Sequence, residues 1–167
     1  MPTLQFSPMT AEEFAHFWPT FQAIVAAQET YAIDPHITYD EAFSLWCKTP
    51  LLSMAVTNEQ GQLLGSYYLK ANAAGPGNHV CNCGYMVTPQ ARGKGVARAM
   101  CEHSQEQARQ HGFKAMQFNA VVASNHVAVT LWERLGFNIV GTVPNAYRHA
   151  SLGDVDTHVM YKSLAHY

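Results

Sequence analysis

The sequence predicts a mixed α/β fold, and two observations carry that prediction. Apolar residues recur at helical spacing over residues 10–49, alternate like strands over 51–87, and switch between the two periods afterwards. Turn residues separate the segments: 58–61 ends in glycine between two strand-like stretches, and glycines at 93–95 precede a helix. This order predicts antiparallel strands followed by strand–helix–strand units in one mixed sheet.

The first elements are a strand and a helix. Weak alternation predicts the strand over residues 3–6. Thr10 and Glu13 then have the spacing of a capping box, in which the hydroxyl and the carboxylate each accept a hydrogen bond from a free backbone amide. Apolar residues at helical spacing follow. Pro19 is expected to kink or split this helix, because proline has no amide hydrogen to donate.

The remaining elements follow from the same signals. Thr38 and Glu41 form a second capping box, which predicts a short helix that ends before Pro50. A meander of three antiparallel strands is expected over residues 51–57, 63–71 and 79–87. Later elements are a helix from Val96 to Gly112, a strand over 116–122, a helix capped by Ser124 or Asn125 and ended by Gly136, and strands over 139–143 and 155–161. Since no repeat or linker divides the chain, one domain over 1–167 is expected.

Composition excludes several classes of protein. The net charge is −2, from 10 basic and 12 acidic residues, whereas nucleic-acid binders usually present a basic face. No apolar run reaches the roughly 18 residues of a membrane-spanning helix. Residues 1–9 lack the basic and apolar regions of a secretory signal. We therefore expect a cytoplasmic protein with no nucleic-acid or membrane partner.

The four cysteines are too few for a disulfide scaffold at this length. Cys81 and Cys83 stand two apart in a predicted strand and share a face, and with His79 they form a His-x-Cys-x-Cys run. Zinc pairs usually come from loops with two residues between the cysteines, and no second pair exists here. This favours reduced, half-buried cysteines and predicts no metal site.

Chemistry concentrates in residues 87–97, where a strand ends, a glycine-rich turn follows and a helix begins at once. Such a turn exposes unpaired amides at the positive end of the helix dipole, which suits a pyrophosphate. Glycine lets the backbone approach the ligand closely, and Arg92 or Lys94 adds positive charge. Neither Gly-x-Gly-x-x-Gly nor Gly-x4-Gly-Lys-Ser/Thr is present.

This segment resembles the signature of the GCN5-related N-acetyltransferases (GNAT), Arg/Gln-x-x-Gly-x-Gly/Ala. Arg92, Gly95 and Ala97 match it, and a second register beginning at Gln90 also fits. The first register is preferred because it follows Val87 at the family's usual distance. A downstream box resembles the family's Asn…Leu-Tyr-x-x-x-Gly-Phe pattern through Asn125, Ala128, Leu131, Trp132, Leu135, Gly136 and Phe137.

The resemblance implies acetyl-CoA as the acetyl donor. It implies two neighbouring strands that splay apart at the cofactor cleft, and helices on both faces of the sheet. The implied cofactor-binding residues are Tyr85, Met86, Val87, Arg92, Gly93, Lys94, Gly95, Val96, Ala97 and Asn125. A strand amide near Met86 or Val87 would polarise the acetyl carbonyl, and a deprotonated amine would attack directly, without a covalent enzyme intermediate.

The sequence departs from the family pattern at Trp132, where many members have a tyrosine that can protonate the departing thiolate. An indole N–H donates hydrogen bonds but is no general acid at neutral pH. The proton would come from solvent, from the amine or from another group such as Tyr147. A pure packing role for Trp132 stays equally open.

Two asparagines are candidates for handling the acceptor. Asn82 and Asn119 lie in apolar strands, where a polar amide needs a hydrogen-bonding partner. With residues 29–31 and 148–156, they resemble the proline-analogue N-acetyltransferase branch known from yeasts and its bacterial relatives. In that branch the matching asparagines handle the substrate. Purely local backbone bonding of these side chains is the alternative.

Titratable side chains supply the remaining catalytic candidates. Glu29 is a candidate base because it ends the first helix beside the expected acceptor loop. His79 and His149 are the histidines worth testing as bases, whereas the others, including His103, are expected at solvated positions.

The favoured function is acetylation of a small-molecule amine, an amino acid or an analogue. The alternatives are a protein or peptide N-terminal acetyltransferase and a non-catalytic CoA-binding sensor. A homodimer is possible, since dimers are common in the family.

Overall fold

The structure is a computed structural model, and it describes residues 3–165. One sheet has the strand order β1-β2-β3-β4-β5-β7-β6. The strands are β1 Gln5–Pro8, β2 Leu52–Thr57, β3 Leu63–Ala71, β4 Val80–Val87, β5 Ala115–Val122, β6 Asn138–His149 and β7 Gly153–Ser163. The helices are α1 Ala11–Ala27, α2 Tyr39–Phe43, α3 Val96–Gln110 and α4 His126–Arg134.

Helices cover both faces of the sheet, as predicted. Tyr85 and Met86 are consecutive on β4 and therefore point to opposite faces. Met86 packs in a buried cluster with α1 and α2, including Phe17 and Trp46. Tyr85 packs in a second cluster with α3 and α4, including Met100 and Trp132. Every strand pair is antiparallel except β4 with β5, so the expected mixed sheet with antiparallel N-terminal strands is confirmed.

The capping box of α1 is present, and Pro19 does not split the helix. The Thr10 amide donates to Glu13 Oε1 at 3.0 Å, and the Glu13 amide donates to Thr10 Oγ1 at 3.1 Å. The helix continues through Pro19 without a break. An interior proline costs about 3 kcal/mol, whereas burying one large apolar side chain contributes about 1.5–3 kcal/mol. Four residues of α1 are buried and outweigh the loss: Phe14, Phe17, Phe21 and Val25.

The short second helix is also capped as predicted, by Thr38 with Glu41. It continues as a π-helical turn over Ser44–Lys48 that carries Trp46 into the core. The indole N–H of Trp46 donates to Ser66 Oγ at 2.8 Å, and that hydroxyl donates to the Met54 carbonyl at 2.8 Å. This chain of bonds fixes the π-helical turn after α2 to β3 and β2.

Two expectations about the strands and cysteines need correction. β6 runs to His149 rather than ending at residue 143, because the strand resumes pairing with β7 after a register shift between Val143 and Tyr147. The cysteines are free thiols, as expected, but three of them are buried rather than half-buried: Cys81, Cys83 and Cys101.

Among residues 3–165, no helix combines the length and apolar character needed to cross a bilayer.

A glycine on β4 allows a tyrosine ring to lie across the sheet. Gly84 pairs with Tyr68 of β3, and a Cβ added to Gly84 would lie 2.5 Å from Tyr68 Cε1. The ring also meets the Trp46 indole edge-on, with centroids 4.9 Å apart. Tyr68 is therefore held between the β4 backbone and a buried indole.

We predict that Gly84→Ala lowers the free energy of unfolding by about 1–3 kcal/mol, because the added methyl would displace the Tyr68 ring from its contact with Trp46. Urea denaturation measures the change. Gly141→Ala is the matched control, since nothing lies within 4 Å of its added Cβ. It should change stability by less than about 0.5 kcal/mol. Equal stabilities of the two variants would contradict the packing described here.

Candidate active site

The site begins where β4 and β5 part. The two strands pair in parallel only through Val80 with Ala115 and Cys81 with Met116. At the next residue a side chain replaces the backbone pairing: Asn82 Nδ2 donates to the Gln117 carbonyl at 2.9 Å. A cleft of about 790 Å³ lies beyond this point. The splayed strands implied by the family resemblance are thus present.

The β3–β4 ladder decides which backbone groups of β4 face the cleft. The Thr88 amide donates to the Leu64 carbonyl at 2.8 Å, and the Asn72 amide donates to the Val80 carbonyl at 2.8 Å. Hydrogen bonding alternates along an antiparallel strand, so even-numbered residues of β4 bond to β3 and odd-numbered residues face the gap. The Met86 amide therefore points away from the cleft, so of the two residues expected to polarise the acetyl carbonyl only Val87 has its amide on the cleft side. The Tyr85 and Val87 amides face the cleft.

A tyrosine that was assigned no role in the sequence analysis binds this open edge. The hydroxyl of Tyr31, from the loop after α1, donates to the Tyr85 carbonyl. It also accepts from the Tyr85 amide at 2.8 Å. Burial raises the pKa of Tyr31 well above its ordinary value, so the hydroxyl keeps its proton at neutral pH. The side chain thus replaces a missing strand neighbour at one residue.

The β6–β7 hairpin holds the loop that carries Tyr31. The Tyr147 hydroxyl donates to the Tyr31 carbonyl at 3.1 Å, and the Ala150 amide donates to the Gln28 carbonyl at 3.0 Å. Tyr147 is buried and lies outside the set of residues that line the cleft. These contacts give Tyr147 a role in positioning the loop, and its role as a proton donor to the thiolate stays a prediction.

Glu29 lies on the same loop and lines the cleft. The helix ends at Ala27, and Gln28 adopts the left-handed conformation that caps it, so Glu29 follows the helix rather than ending it. Its side chain is exposed. The two histidines considered as bases, His79 and His149, are not among the lining residues.

Both candidate asparagines line the cleft, and both are already hydrogen-bonded within the protein. Asn82 Oδ1 accepts from the Tyr68 hydroxyl at 3.2 Å, in addition to the Nδ2 bond to Gln117. Asn119 Nδ2 donates to Asn72 Oδ1 at 2.7 Å. The local bonding considered as an alternative is therefore present. Each side-chain amide carries two N–H donors, so each retains one for a ligand.

Asn119 lies where β5 is irregular. The register of β5 against β7 shifts between Phe118 and Val121. Bulges of this kind commonly redirect side chains next to functional sites. The shift helps to explain how Asn119 reaches Asn72, the residue that follows β3.

The glycine turn before α3 has the conformation that the motif predicts. Gly93 and Gly95 have positive φ values of 73° and 80°, where any other residue would be strained. In the described part of the chain, no side chain caps α3. Arg92 and Lys94 are exposed beside the turn, and Arg92 also lines the cleft. The turn can therefore accept an anion on free amides.

The second motif places Asn125 at the N-terminus of α4. Its Oδ1 accepts from the Ala128 amide at 3.3 Å, which selects Asn125 over Ser124 as the cap. Trp132 lies about two turns further along α4. It is buried and also lines the cleft. Its ring centroid lies 5.2 Å from that of Tyr85 and 5.0 Å from that of Phe118. The indole is thus both a packing residue and part of the cleft wall.

One histidine is not where the sequence suggested. His103 is half-buried on α3, stacked on Phe6 with centroids 4.0 Å apart. Its Nδ1 lies 2.7 Å from the Tyr67 hydroxyl. Burial lowers the pKa of His103, which favours the neutral ring in this packed position.

Comparisons with known proteins bear on this site. The sequence model of the Acetyltransferase (GNAT) family matches residues 12–137. N-acetyltransferase aca1 of Schizosaccharomyces pombe is 34% identical over 135 residues, covering 72% of this chain and 65% of that protein. The chain thus spans just under two thirds of the length of this curated relative.

Solved structures share the fold. A GCN5-related N-acetyltransferase from Kribbella flavida superposes with a TM-score of 0.91 at 42% identity, covering 96% of this chain and 97% of that one. A phosphinothricin acetyltransferase from Sinorhizobium meliloti, solved in complex with acetyl-CoA, superposes with a TM-score of 0.85 at 18% identity. That match covers 98% and 89% of the two chains, and at this identity it bears on the fold alone.

We predict that Tyr147→Phe leaves the protein folded but loosens the loop over residues 28–33, because the Tyr31 carbonyl loses its donor. Loss of one hydrogen bond of about 1 kcal/mol should speed amide exchange in that loop about fivefold. Hydrogen exchange followed by mass spectrometry measures this. Tyr161→Phe is the control, since that hydroxyl makes no hydrogen bond among residues 3–165. Unchanged protection of the loop in Tyr147→Phe would contradict the positioning role.

Proposed function

The chain belongs to the Acetyltransferase (GNAT) family, and we propose that it transfers the acetyl group of acetyl-CoA to the amine of a small molecule, an amino acid or an analogue. The family, the N-acetyltransferase class and the use of acetyl-CoA, all predicted from the sequence, are confirmed at the level of the family. The acceptor and the residue roles below are our proposals.

The observation that carries the proposal is the junction of an open strand edge with an uncapped glycine turn. The Tyr85 and Val87 amides face the cleft, and the free amides of the turn over residues 93–97 lie just beyond the end of β4. A ligand with an extended arm and a pyrophosphate can pair its arm with the strand amides and bind its pyrophosphate on the amides of the turn. Acetyl-CoA has this shape and charge.

In the proposed complex, the backbone of Gly93, Gly95 and Ala97 binds the pyrophosphate, with Arg92 and Lys94 adding positive charge. The pantetheine arm pairs with Val87 and passes Asn125. The Tyr85 amide is the donor best placed for the acetyl carbonyl, and it becomes available when the Tyr31 hydroxyl gives up its bond.

The chemistry requires a neutral amine. A small amine arrives as an ammonium ion and loses one proton to a base or to solvent before it attacks. The nitrogen then forms a bond to the acetyl carbon while the carbon–sulfur bond breaks. The second proton leaves the nitrogen, and the thiolate is protonated to the CoA thiol. Glu29 is our candidate to accept the first proton, because it is the carboxylate that lines the cleft.

A small acceptor is favoured because amide side chains crowd the cleft wall below the strand edge. Asn82 and Asn119 each retain a donor there, and Asn72 is bonded to Asn119. The test is thiol release from acetyl-CoA with a panel of free amino acids, simple amines and short peptides. We expect free amino acids to be preferred. A preference for peptides would support an N-terminal acetyltransferase instead, and binding of CoA with no turnover would support a sensor.

We predict that Gly95→Glu weakens acetyl-CoA binding at least about a hundredfold, because the new carboxylate lies where the pyrophosphate must bind. Calorimetric titration with acetyl-CoA measures the affinity. Gly112→Glu is a matched control: it has nearly the same φ, 82° against 80°, but lies at the opposite end of α3. Equal affinities of the two folded variants would refute the assignment of the turn.

We predict that Asn82→Ala and Asn119→Ala each lower kcat/KM for the best amine of the panel by roughly ten- to a thousandfold, because a positioned donor is lost. Acetyl-CoA affinity should stay nearly unchanged, since neither residue is near the glycine turn. Asn138→Ala, exposed on β6 and outside the cleft, is the control. Full activity of both cleft variants would leave these asparagines with a structural role only.

Three finer assignments are also proposals. We place the protein in the cytoplasm, and we propose that residues 1–167 form one domain. A homodimer and membership of the proline-analogue branch remain predictions from the resemblance. Sedimentation of the purified chain and activity toward proline analogues test the last two.

A further inference from the structure

The cleft contains a lysine that the sequence analysis did not single out. Lys70 lies on β3 directly opposite Asn82 of β4, and both residues line the cleft. Tyr68 lies two residues before Lys70 on β3 and shares its face. Asn72 follows two residues after Lys70, just past the end of β3, where its amide still donates to the Val80 carbonyl. These two neighbours are the residues that hold Asn82 and Asn119 in place. Lys70 thus lies at the centre of the polar wall.

The surroundings of Lys70 position its ammonium group in the cleft without pairing it with a carboxylate. The Nζ atom lies 5.4 Å from the centroid of the Tyr68 ring, a cation–π contact with a ring that is itself fixed by Trp46. Asp40 and Glu41 border an adjoining depression that Lys70 shares. Among residues 3–165, however, Lys70 forms no ion pair with either carboxylate. A partly enclosed, unpaired cation favours an anionic ligand.

The neighbouring donors suit a carboxylate in particular. Asn82 and Asn119 each retain one side-chain N–H after their bonds within the protein. A carboxylate has two oxygens that accept several hydrogen bonds at once, so an ammonium and an amide can bind it together. Glu29, on the loop after α1, adds one negative charge to the same cleft. The cleft therefore offers opposite charges to a ligand that carries both.

We propose that Lys70 binds the α-carboxylate of the acceptor and makes a free carboxylate beside the amine a requirement for acetylation. This inference rests on the proposed function and names its substrate class. The acceptor is then a free amino acid or a cyclic or branched analogue of one. A peptide or an amino-acid amide lacks that negative charge next to its amine, so it cannot use Lys70.

The test compares the most active free amino acid of the panel with its own carboxamide. The wild-type protein should prefer the free acid by at least about tenfold in kcat/KM. Lys70→Met should lower kcat/KM for the acid about 10- to 100-fold, mostly through KM, as expected for loss of a hydrogen bond to a charged group. Activity on the carboxamide should change less than about threefold, and Lys70→Arg should restore part of the activity on the acid.

Lys48→Met is the matched control. Lys48 also lies over an aromatic ring, 5.5 Å from the Phe43 centroid, but it is exposed and outside the cleft. It should leave both activities unchanged. If Lys70→Met reduces activity on acid and carboxamide equally, or if the wild type prefers the carboxamide, the assignment of Lys70 is overturned while the acetyltransferase function stands. If no amine is acetylated, the proposed function fails, and this inference fails with it.

Discussion

The parting of β4 and β5 in the middle of the sheet is the constraint on which the rest of this structure depends. Buried backbone amides and carbonyls need hydrogen-bonding partners, and leaving one unsatisfied costs about 1–3 kcal/mol. After Cys81 the odd-numbered residues of β4 have no strand neighbour on the cleft side. The protein must supply other partners there, and the cleft functions only if some of them can be exchanged for a ligand.

Two side chains meet this need in different ways. Asn82 bridges to the Gln117 carbonyl at the point of parting, and Tyr68 holds it there because Gly84 leaves room for the ring. Tyr31 bonds both backbone groups of Tyr85 from the loop after α1. The first partner is built into the sheet and keeps the strands apart at a fixed place. The second comes from outside the sheet, on a loop that the β6–β7 hairpin holds.

The sequence predicted what local chemistry determines and missed what the strand register determines. The capping boxes of Thr10 and Thr38 and the turn before α3 depend on residues close in sequence, so their patterns could be recognised. The contacts of Tyr31 and Lys70 could not be recognised in the same way. Tyr31 bonds a residue 54 positions away in the sequence, and only the strand register places Lys70 opposite Asn82. The uninterrupted course of α1 through Pro19 was missed for the same reason, since the tertiary contacts of its buried residues outweigh the local signal. Asn82 and Asn119 stood out because polar residues in apolar strands need partners.

The bonds of Tyr31 also limit what the strand edge can contribute to affinity. In the proposed complex, a ligand that pairs with Tyr85 replaces hydrogen bonds that the protein already makes, so the net gain is small. Pairing at the edge would then orient the acetyl group, while the affinity for the donor must come from the free amides of the glycine turn. Tyr31 and Glu29, the proposed base, lie on the same loop. The side chain on the strand edge and the side chain proposed as the base are therefore positioned by a single segment, which Tyr147 anchors.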